Sequence, residues 1–394
     1  MNKQLNNIQK LLEGADVQWK TLGEVAIKIS SGGTPKTGVT SYYDGDIPWL
    51  RTQEVGNGDI WDTSIKITEA GLKNSSAKMI PENCVIVAMY GATVGKVGIN
   101  KIPLSTNQAC ANIQLNEEVA HYRYVYHFLL SQYEYIKSLG AGSQTNINAQ
   151  IVKKFIIPIP PLPVQQEIVR ILDTFTELTA ELTAELTARK KQYSFYREEL
   201  LMPVMVNGKW LMNNKEMVWK TLGEVAVIKR GVAFTKKQAV FGKYPVVANA
   251  AEPISFHTEY NRDGDFVVVA RSGANAGLIS YWNEKLYLTD AFSIHPNSSA
   301  LNTKFAFYYL KKHQQEIHLM KRGSGVPHVR ATDFEIYKIP IPPLSEQERI
   351  VSILDKFDTL TTSISEGLPK EIELRKKQYE YYRDRLLTFP MSEL

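Results

Sequence analysis

Residues 17–25 read VQWKTLGEV and residues 217–225 read MVWKTLGEV, an internal repeat at an offset of 200. A second repeat closes the frame: residues 157–175 (IPIPPLPVQQEIVRILDTF) return as residues 339–357 (IPIPPLSEQERIVSILDKF), at an offset of 182. Between them residues 85–95 (VIVAMYGATVG) align with 267–277 (VVVARSGANAG), also at 182, so the 18 residues by which the offsets differ fall before Val85 in the first copy. The chain is a duplication, each copy a variable body followed by a Pro-rich boundary and a helix. A shared frame around divergent interiors implies one architecture serving two different targets, because drift alone would not spare the frame while rewriting what it encloses.

The boundary IPIPP must be extended, since proline bars helix. From Gln165 an apolar stripe steps by three and four through Ile168, Ile171, Leu172, Phe175, Leu178, Leu182 and Leu186, then continues at Tyr193, Tyr196 and Leu200. One helix from about Gln165 to Leu200 would be roughly 54 Å long at ~1.5 Å per residue. Its counterpart carries Ile350, Ile353, Leu354, Phe357, Leu360 and Ile364, is interrupted at Gly367 and Pro369, and resumes through Leu374, Tyr379, Tyr382 and Leu386. Two such helices can bury their stripes against each other as an antiparallel coiled coil. The tetrapeptides at 179–182 and 183–186 both read TAEL, so the first helix behaves as a ruler in which each unit adds ~6 Å.

These boundaries divide the chain into an N-terminal segment (1–16), a first body (17–156), a spacer helix (157–203), a linker (204–216), a second body (217–338), and a second spacer helix with its tail (339–394). The expected fold class is two pseudo-twofold-related α/β or α+β bodies separated by a pair of long antiparallel coiled-coil helices.

With 44% hydrophobic and 22% charged residues over 394 positions, the composition is that of a globular, multidomain protein. No apolar run approaches the ~18 residues of a membrane span, and the opening MNKQLNNIQKLLEG lacks the core of a signal peptide, so a cytoplasmic protein without a membrane partner is expected. Cys84 and Cys110 are too few for a disulfide framework or a zinc site, and no metal is expected. The net charge of +5 is unevenly spread. Residues 17–156 hold 13 Lys and Arg against 11 Asp and Glu, and residues 217–338 hold 16 against 10, while the other segments carry no positive excess. That distribution fits two DNA-facing bodies on a neutral frame.

In each body a strand-like run (85–89, 266–270) enters a glycine-punctuated turn, and a helix (120–138, 303–321) follows later. The turn at 91–96 resembles a phosphate-binding P-loop only superficially, being one residue short with Val97 where a magnesium-binding Ser or Thr should stand. It reads instead as a tight loop that lets backbone and short polar side chains approach DNA. Groups suited to groove and phosphate contact surround it. In the first copy these are Thr34, Lys36, Arg51, Gln53, Lys96, Thr106, Asn107, Gln108, Gln144 and Asn146. In the second they are Lys236, Lys237, Asn249, Arg271, Asn275, Thr289, Asp290, His328 and Arg330. Arg favours guanine and Asn or Gln favours adenine through bidentate geometry, while Lys mostly positions phosphate.

No catalytic residue is expected. The Pro-Pro pairs at 160/161 and 342/343 are flanked by Ile and Leu, not by the Asn and aromatic residue of a DNA methyltransferase loop. No lysine has an acidic residue two positions before it, as common nucleases require. His313 and His318 are five apart, not the four of a helical zinc pair, and read as surface or phosphate-contacting residues. A competing reading is a coiled-coil scaffold that joins protein partners without touching DNA.

Taken together, WKTLGEV, IPIPPL, the Gln-rich helix start, the TAEL units and the paired RKKQY sequences at 189–193 and 375–379 resemble the specificity subunit of type I restriction-modification systems, most like its IC group. The resemblance covers nearly the whole chain. It implies that each body reads one half of a bipartite, asymmetric site in double-stranded DNA. It also implies that the helices set the spacer and dock two methyltransferase (modification) subunits, which recruit the restriction (translocase and nuclease) subunits. On that reading the docking residues are Gln165, Gln166, Ile168, Phe175, Gln347, Ile350 and Phe357. This chain would hold no cofactor, S-adenosylmethionine belonging to the methyltransferase.

Overall fold

A computed structural model describes residues 15–140, 146–234, 242–249, 252–322, 326–363 and 365–390. The chain forms two compact units. Unit 1 takes residues 1–181 and 372–394, and unit 2 takes residues 182–371.

The repeated frame is a strand pairing. In unit 1 Gln18–Thr21 lies antiparallel to Ile156–Ile159, with Trp19 opposite Pro158 and Thr21 opposite Ile156. In unit 2 Val218–Thr221 lies antiparallel to Lys338–Ile341 in the same register, Trp219 opposite Pro340 and Thr221 opposite Lys338. Both are two-stranded, so the missing N–H of each proline falls where no third strand needs it. The following residues then turn at once into a short helix, Leu22–Val25 or Leu222–Val225. The reason is local: the Thr21 N–H donates to Glu24 Oε2 at 2.7 Å and the Thr221 N–H to Glu224 Oε2 at 2.6 Å, reciprocal caps that start the turn.

Inside the frame both units order their main sheet alike. In unit 1 it runs Ala26–Ser31, Cys110–Leu115, Val85–Ala88, Val97–Asn100, and in unit 2 Ala226–Arg230, Ala291–Pro296, Asp265–Ala270, Ile279–Asn283. Unit 1 adds a fifth strand, Gly58–Ile60, parallel to the fourth, and this lies in the stretch where the first copy is longer. A second, smaller sheet stands beside each main sheet, containing a parallel pair: Trp49 and Leu50 with Ser105 and Thr106, or Val246 and Val247 with Tyr287 and Leu288. The near-continuous apolar strands are explained by burial on both faces. Val85 and Val87 point into the core beneath the helix while Cys84, Ile86 and Ala88 point into the core of the other face. In unit 2 Val267 and Val269 divide from Phe266 and Val268 in the same way.

The helices follow the expected pattern with three differences. The helices expected at 120–138 and 303–321 are each broken in two, the first parts being α1 (Tyr122–Ser131) and α2 (Thr303–Lys312). They pack on one face of largely antiparallel sheets, so each body is α+β and not α/β. The spacer helix, α3 (Leu162–Leu200), starts earlier than Gln165, because Pro163 lies in its first turn, where a missing N–H has no partner to lose. Residues 204–216, expected as a linker, fold as a three-stranded meander (Val204–Val206, Lys209–Met212, Lys215–Glu216) that buries Met212. The C-terminal helix does break at Gly367, whose φ of 82° suits glycine. The two parts are α4 (Leu344–Thr362) and α5 (Leu368–Leu386).

The chain passes from unit 1 into unit 2 within α3 and returns within α5. In unit 1 Phe175 of α3 stacks on Tyr382 of α5, and Ile168 and Leu172 join Leu386 in the core. In unit 2 Tyr193 and Tyr196 of α3 stack on Phe357 of α4. Advancing along α3 therefore retreats along the C-terminal segment, the opposed order of an antiparallel pairing.

Two buried glutamines, one per copy, lock body to helix. The Gln165 side chain accepts from the His121 N–H (2.9 Å) and donates to the carbonyls of Val119 (3.0 Å) and Pro160 (2.8 Å). Gln347 accepts from the Asn302 N–H (2.8 Å) and donates to Ala300 (3.0 Å) and Pro342 (2.8 Å). Two turns further along each helix an acid repeats the fastening. Asp173 meets Arg123 (2.6 Å) and His127 (2.7 Å) of α1, and Asp355 meets Lys304 (2.7 Å) and the Tyr308 hydroxyl (2.6 Å) of α2. Gln165, Ile168, Gln347 and Ile350 are thus buried in the chain's own core, while Phe175 and Phe357 are half-buried in its aromatic stacks. Gln166 is exposed.

Replacing Gln165 by Ala leaves three buried backbone groups unsatisfied and should cost roughly 2–4 kcal/mol. Urea denaturation of the full chain measures it. The acid clasp of unit 1 gives a pH dependence. Burial holds His127 below the ordinary histidine value despite the pull of Asp173. Asp173 lies below the ordinary carboxylate value because its bonds to His127 and Arg123 outweigh burial. Both are depressions, so their stabilisation is present at neutral pH and lost on acidification, for His127 once the unfolded histidine protonates below about pH 6.5. The urea midpoint should fall between pH 7.5 and pH 5.5, and fall less in His127→Gln.

Candidate nucleic-acid interface

The glycine turns have one build. Gly91 and Gly95 adopt φ of 77° and 82°, Gly273 and Gly277 φ of 77° and 83°. The Gly95 N–H donates to Ala88 O at 2.9 Å and the Gly277 N–H to Ala270 O at 2.8 Å, closing the turn back onto its strand. His318 Nδ1 donates to Ala276 O at 2.8 Å and His313 Nδ1 to Tyr309 O at 2.8 Å, so one nitrogen of each ring serves the local backbone.

Backbone hydrogen bonds bring three other segments to the foot of each turn. In unit 1 the Met89 N–H reaches Ala109 O (2.8 Å), the Ile147 N–H reaches Met89 O (3.0 Å) and the Asn107 N–H reaches Leu50 O (2.9 Å). In unit 2 the same bonds run from Arg271 to Asp290 (3.2 Å), Val329 to Arg271 (2.9 Å) and Thr289 to Val247 (2.9 Å). The frame therefore equates Met89 with Arg271, Ala109 with Asp290 and Asn107 with Thr289. It likewise equates Asn148 with Arg330, each the residue before a short helix. Ser31 corresponds to Arg230, since they pair with Ala111 and Phe292 at matching points of the sheet.

Most of the first-copy candidates gather here. Thr34 donates to the Gln108 side chain, and Asn146 Oδ1 accepts from the Gly91 N–H at 3.3 Å. Thr93 Oγ1 donates to Thr52 O at 2.8 Å, tying the turn to the Arg51–Gln53 segment. Arg51 is spent on Glu54 (2.9 Å) and Ser64 (3.2 Å), while Lys36, Gln53 and Gln108 are exposed and Lys96 is half-buried. Thr106 is buried, its Oγ1 accepting from Asn112 Nδ2 at 2.8 Å, and Asn107 folds onto the Ala109 N–H at 3.2 Å, so both shape the turn from within. Gln144 lies outside the described residues.

In unit 2 Arg271, Asn275 and Arg330 are exposed, and Asn249 donates to Ser272 O at 3.3 Å. His328 pairs its backbone with Arg322 through two bonds of 2.9 Å. Thr289 is largely buried, at the wall of the cleft that Arg271 and Asp290 also line. Lys236 and Lys237 lie outside the described residues. Arg230, Arg271, Asp290 and Arg330 line a cleft of about 590 Å³ together with Phe234. Arg230 was not among the sequence candidates; the signal for it was its place at the mouth end of the first strand of the frame. Gly32 and Gly231 are structural necessities here, since a Cβ on Gly32 would lie 1.9 Å from Thr106 O and one on Gly231 2.9 Å from Leu288 O.

Chemically the two surfaces offer hydrogen-bond donors, acceptors and charge. Among the described residues no group of three or more His, Cys, Asp or Glu is placed to hold a metal ion, and no helix is long and apolar enough to cross a membrane. The thiols are buried, which pushes both Cys84 and Cys110 up to about 12.

A duplicated, helix-framed pair of bodies with polar, divergent turns at matched places defines a recognition protein. The chain belongs to the type I restriction-modification specificity family: the family model described as "Type I restriction modification DNA specificity domain" matches residues 15–189 and 214–374. The type I restriction enzyme EcoprrI specificity subunit of Escherichia coli is 31% identical over 386 residues, covering 92% of this chain and 93% of that one. The Escherichia coli EcoR124I/EcoR124II specificity subunit is 31% identical over 422 residues, covering 99% and 98%. Among solved structures, the type I restriction-modification S subunit from M. genitalium superposes with a TM-score of 0.64 at 19% identity over 96% of this chain and 98% of that one, a likeness of fold.

Because only the thiolate reacts, the native chain at pH 8 should show no rapid reaction of either cysteine with a thiol reagent. Both should titrate on unfolding in urea.

Proposed function

We propose that this chain is the DNA-reading subunit of a type I restriction-modification complex, each unit reading one half of a bipartite asymmetric site. The observation that supports it is the pair of matched turns: the backbone frame around them repeats bond for bond while the side chains on it differ, Met89 against Arg271 and Ala109 against Asp290. One scaffold carrying two different sets of base-edge groups is what recognition of two unlike half-sites requires. The chain's partners are then double-stranded DNA and two methyltransferase subunits docked on the exposed flanks of the helices, where Gln166 lies, with restriction subunits joining through them. S-adenosylmethionine belongs to the methyltransferase, and this chain supplies the address at which it acts.

In this reading α3 acts as the ruler. Each TAEL unit adds ~6 Å of helix, between one and two base-pair steps of B-DNA. Deleting residues 179–182 should shorten the spacer between the half-sites and leave both half-site sequences unchanged, which methylation-site mapping in cells expressing the full complex reads directly. Altered half-site sequences or an unaltered spacer would refute the ruler. Absence of salt-dependent DNA binding by the complex at low salt would favour a protein scaffold instead.

A further inference from the structure

The cleft of unit 2 is chemically unlike its surroundings. Arg230, Arg271 and Arg330 are exposed, and among the described residues none of the three guanidinium groups takes part in an ion pair, although Asp290 lies in the same cleft. The Asp290 carboxylate is held by the Ser272 hydroxyl, which donates to it. Its backbone sits at φ 38°, a left-handed conformation that a non-glycine residue adopts at a cost and that the bond from the Arg271 N–H to its carbonyl maintains. Arg230 is anchored too, since the buried Arg262 donates from Nη2 to its carbonyl at 2.6 Å. At the matched positions unit 1 carries Ser31, Met89, Ala109 and Asn148, none of them charged. Four neutral residues on one frame have become three arginines and one aspartate on the other.

A phosphate site explains the arginines and not the aspartate, because a carboxylate repels phosphate. A carboxylate among free guanidinium groups fits a partner that presents an amino donor beside strong acceptors. In the major groove a G·C pair does so: guanine offers O6 and N7 to an Arg fork, and cytosine offers its N4 amino group to an Asp. Resting on the DNA-reading role above, we propose that this cleft reads one G·C base pair in the half-site of unit 2, Asp290 accepting from cytosine N4 and Arg271 donating to guanine. Arg230 and Arg330 flank the pair and hold the backbone phosphates beside it. Unit 1, with Ala109 and Met89 at these places, reads no G·C pair by this device.

The test uses the full chain assembled with its methyltransferase subunits. After the methylated motif is mapped, competition binding is measured against duplexes in which each base pair of both half-sites is replaced singly. The unaltered complex should discriminate at one G·C position by about ten- to hundredfold. Asp290→Asn, which keeps the side-chain shape, should reduce this to about threefold or less at that position alone and admit an A·T pair there, as Asn favours adenine. Arg271→Lys should relax the same position. The proposal is overturned if Asp290→Asn leaves the discrimination at every position unchanged, or weakens all sequences equally as loss of a phosphate contact would. A complex that binds DNA with no sequence discrimination at all overturns the reading role itself, an outcome distinct from the first two.

Discussion

Buried backbone groups must find partners, and the place where each body hands the chain to its helix is where they would otherwise fail to. The chain arrives extended through prolines, cannot continue a sheet, and turns into a helix whose first turn has spare N–H groups. Gln165 and Gln347 resolve the conflict with one side chain each, an amide having two donors and an acceptor that reach both sides of the junction. A carboxylate or an aliphatic residue could not supply both roles. The helix direction relative to its own body is set at these two residues, and everything further along the helix inherits it.

The acids one step later reinforce that direction with different chemistry in each unit. Asp173 uses a neutral imidazole and a guanidinium, Asp355 an ammonium and a phenol. A neutral His127 ring satisfies its surroundings if the proton is on Nε2, donating to Asp173 while Nδ1 accepts from the Tyr379 hydroxyl at 3.2 Å. The fastening point is kept while its partners vary, which indicates that the position of the helix, and not a particular ion pair, is the requirement.

Much of this was legible in the sequence because duplication repeats constraints. The offsets of 200 and 182 marked the strands that pair to close each body, although nothing in the periodicity said that the two marked segments would pair with each other. The stripe of α3 was readable since a helix repeats its face, and Gly367 marked the break in its counterpart. What stayed hidden was long-range. Gln165 looks like any polar residue at a helix start until the carbonyls of Val119 and Pro160 are known to surround it. Thr106 carries the right group for a base edge, yet sheet pairing turns it inward. Arg230 becomes notable only when three distant stretches of chain place Arg271, Asp290 and Arg330 beside it. The meander at 204–216 was marked in the sequence only by its short apolar runs and the Asn207-Gly208 turn, and Met212 finds its core in unit 2.

Because Trp19 lies opposite Pro158 and Trp219 opposite Pro340, the chain enters and leaves each body at adjacent points. Between those points the helices are fastened to the interior through residues 119–127 and 300–308, and the extra strand Gly58–Ile60 of the first copy is accommodated without shifting the closing register by one residue. A genetic exchange with breakpoints inside the two framing stretches would therefore transplant a complete reading surface as a cassette. New addresses could arise in single recombination steps, with the rest of the machine left untouched.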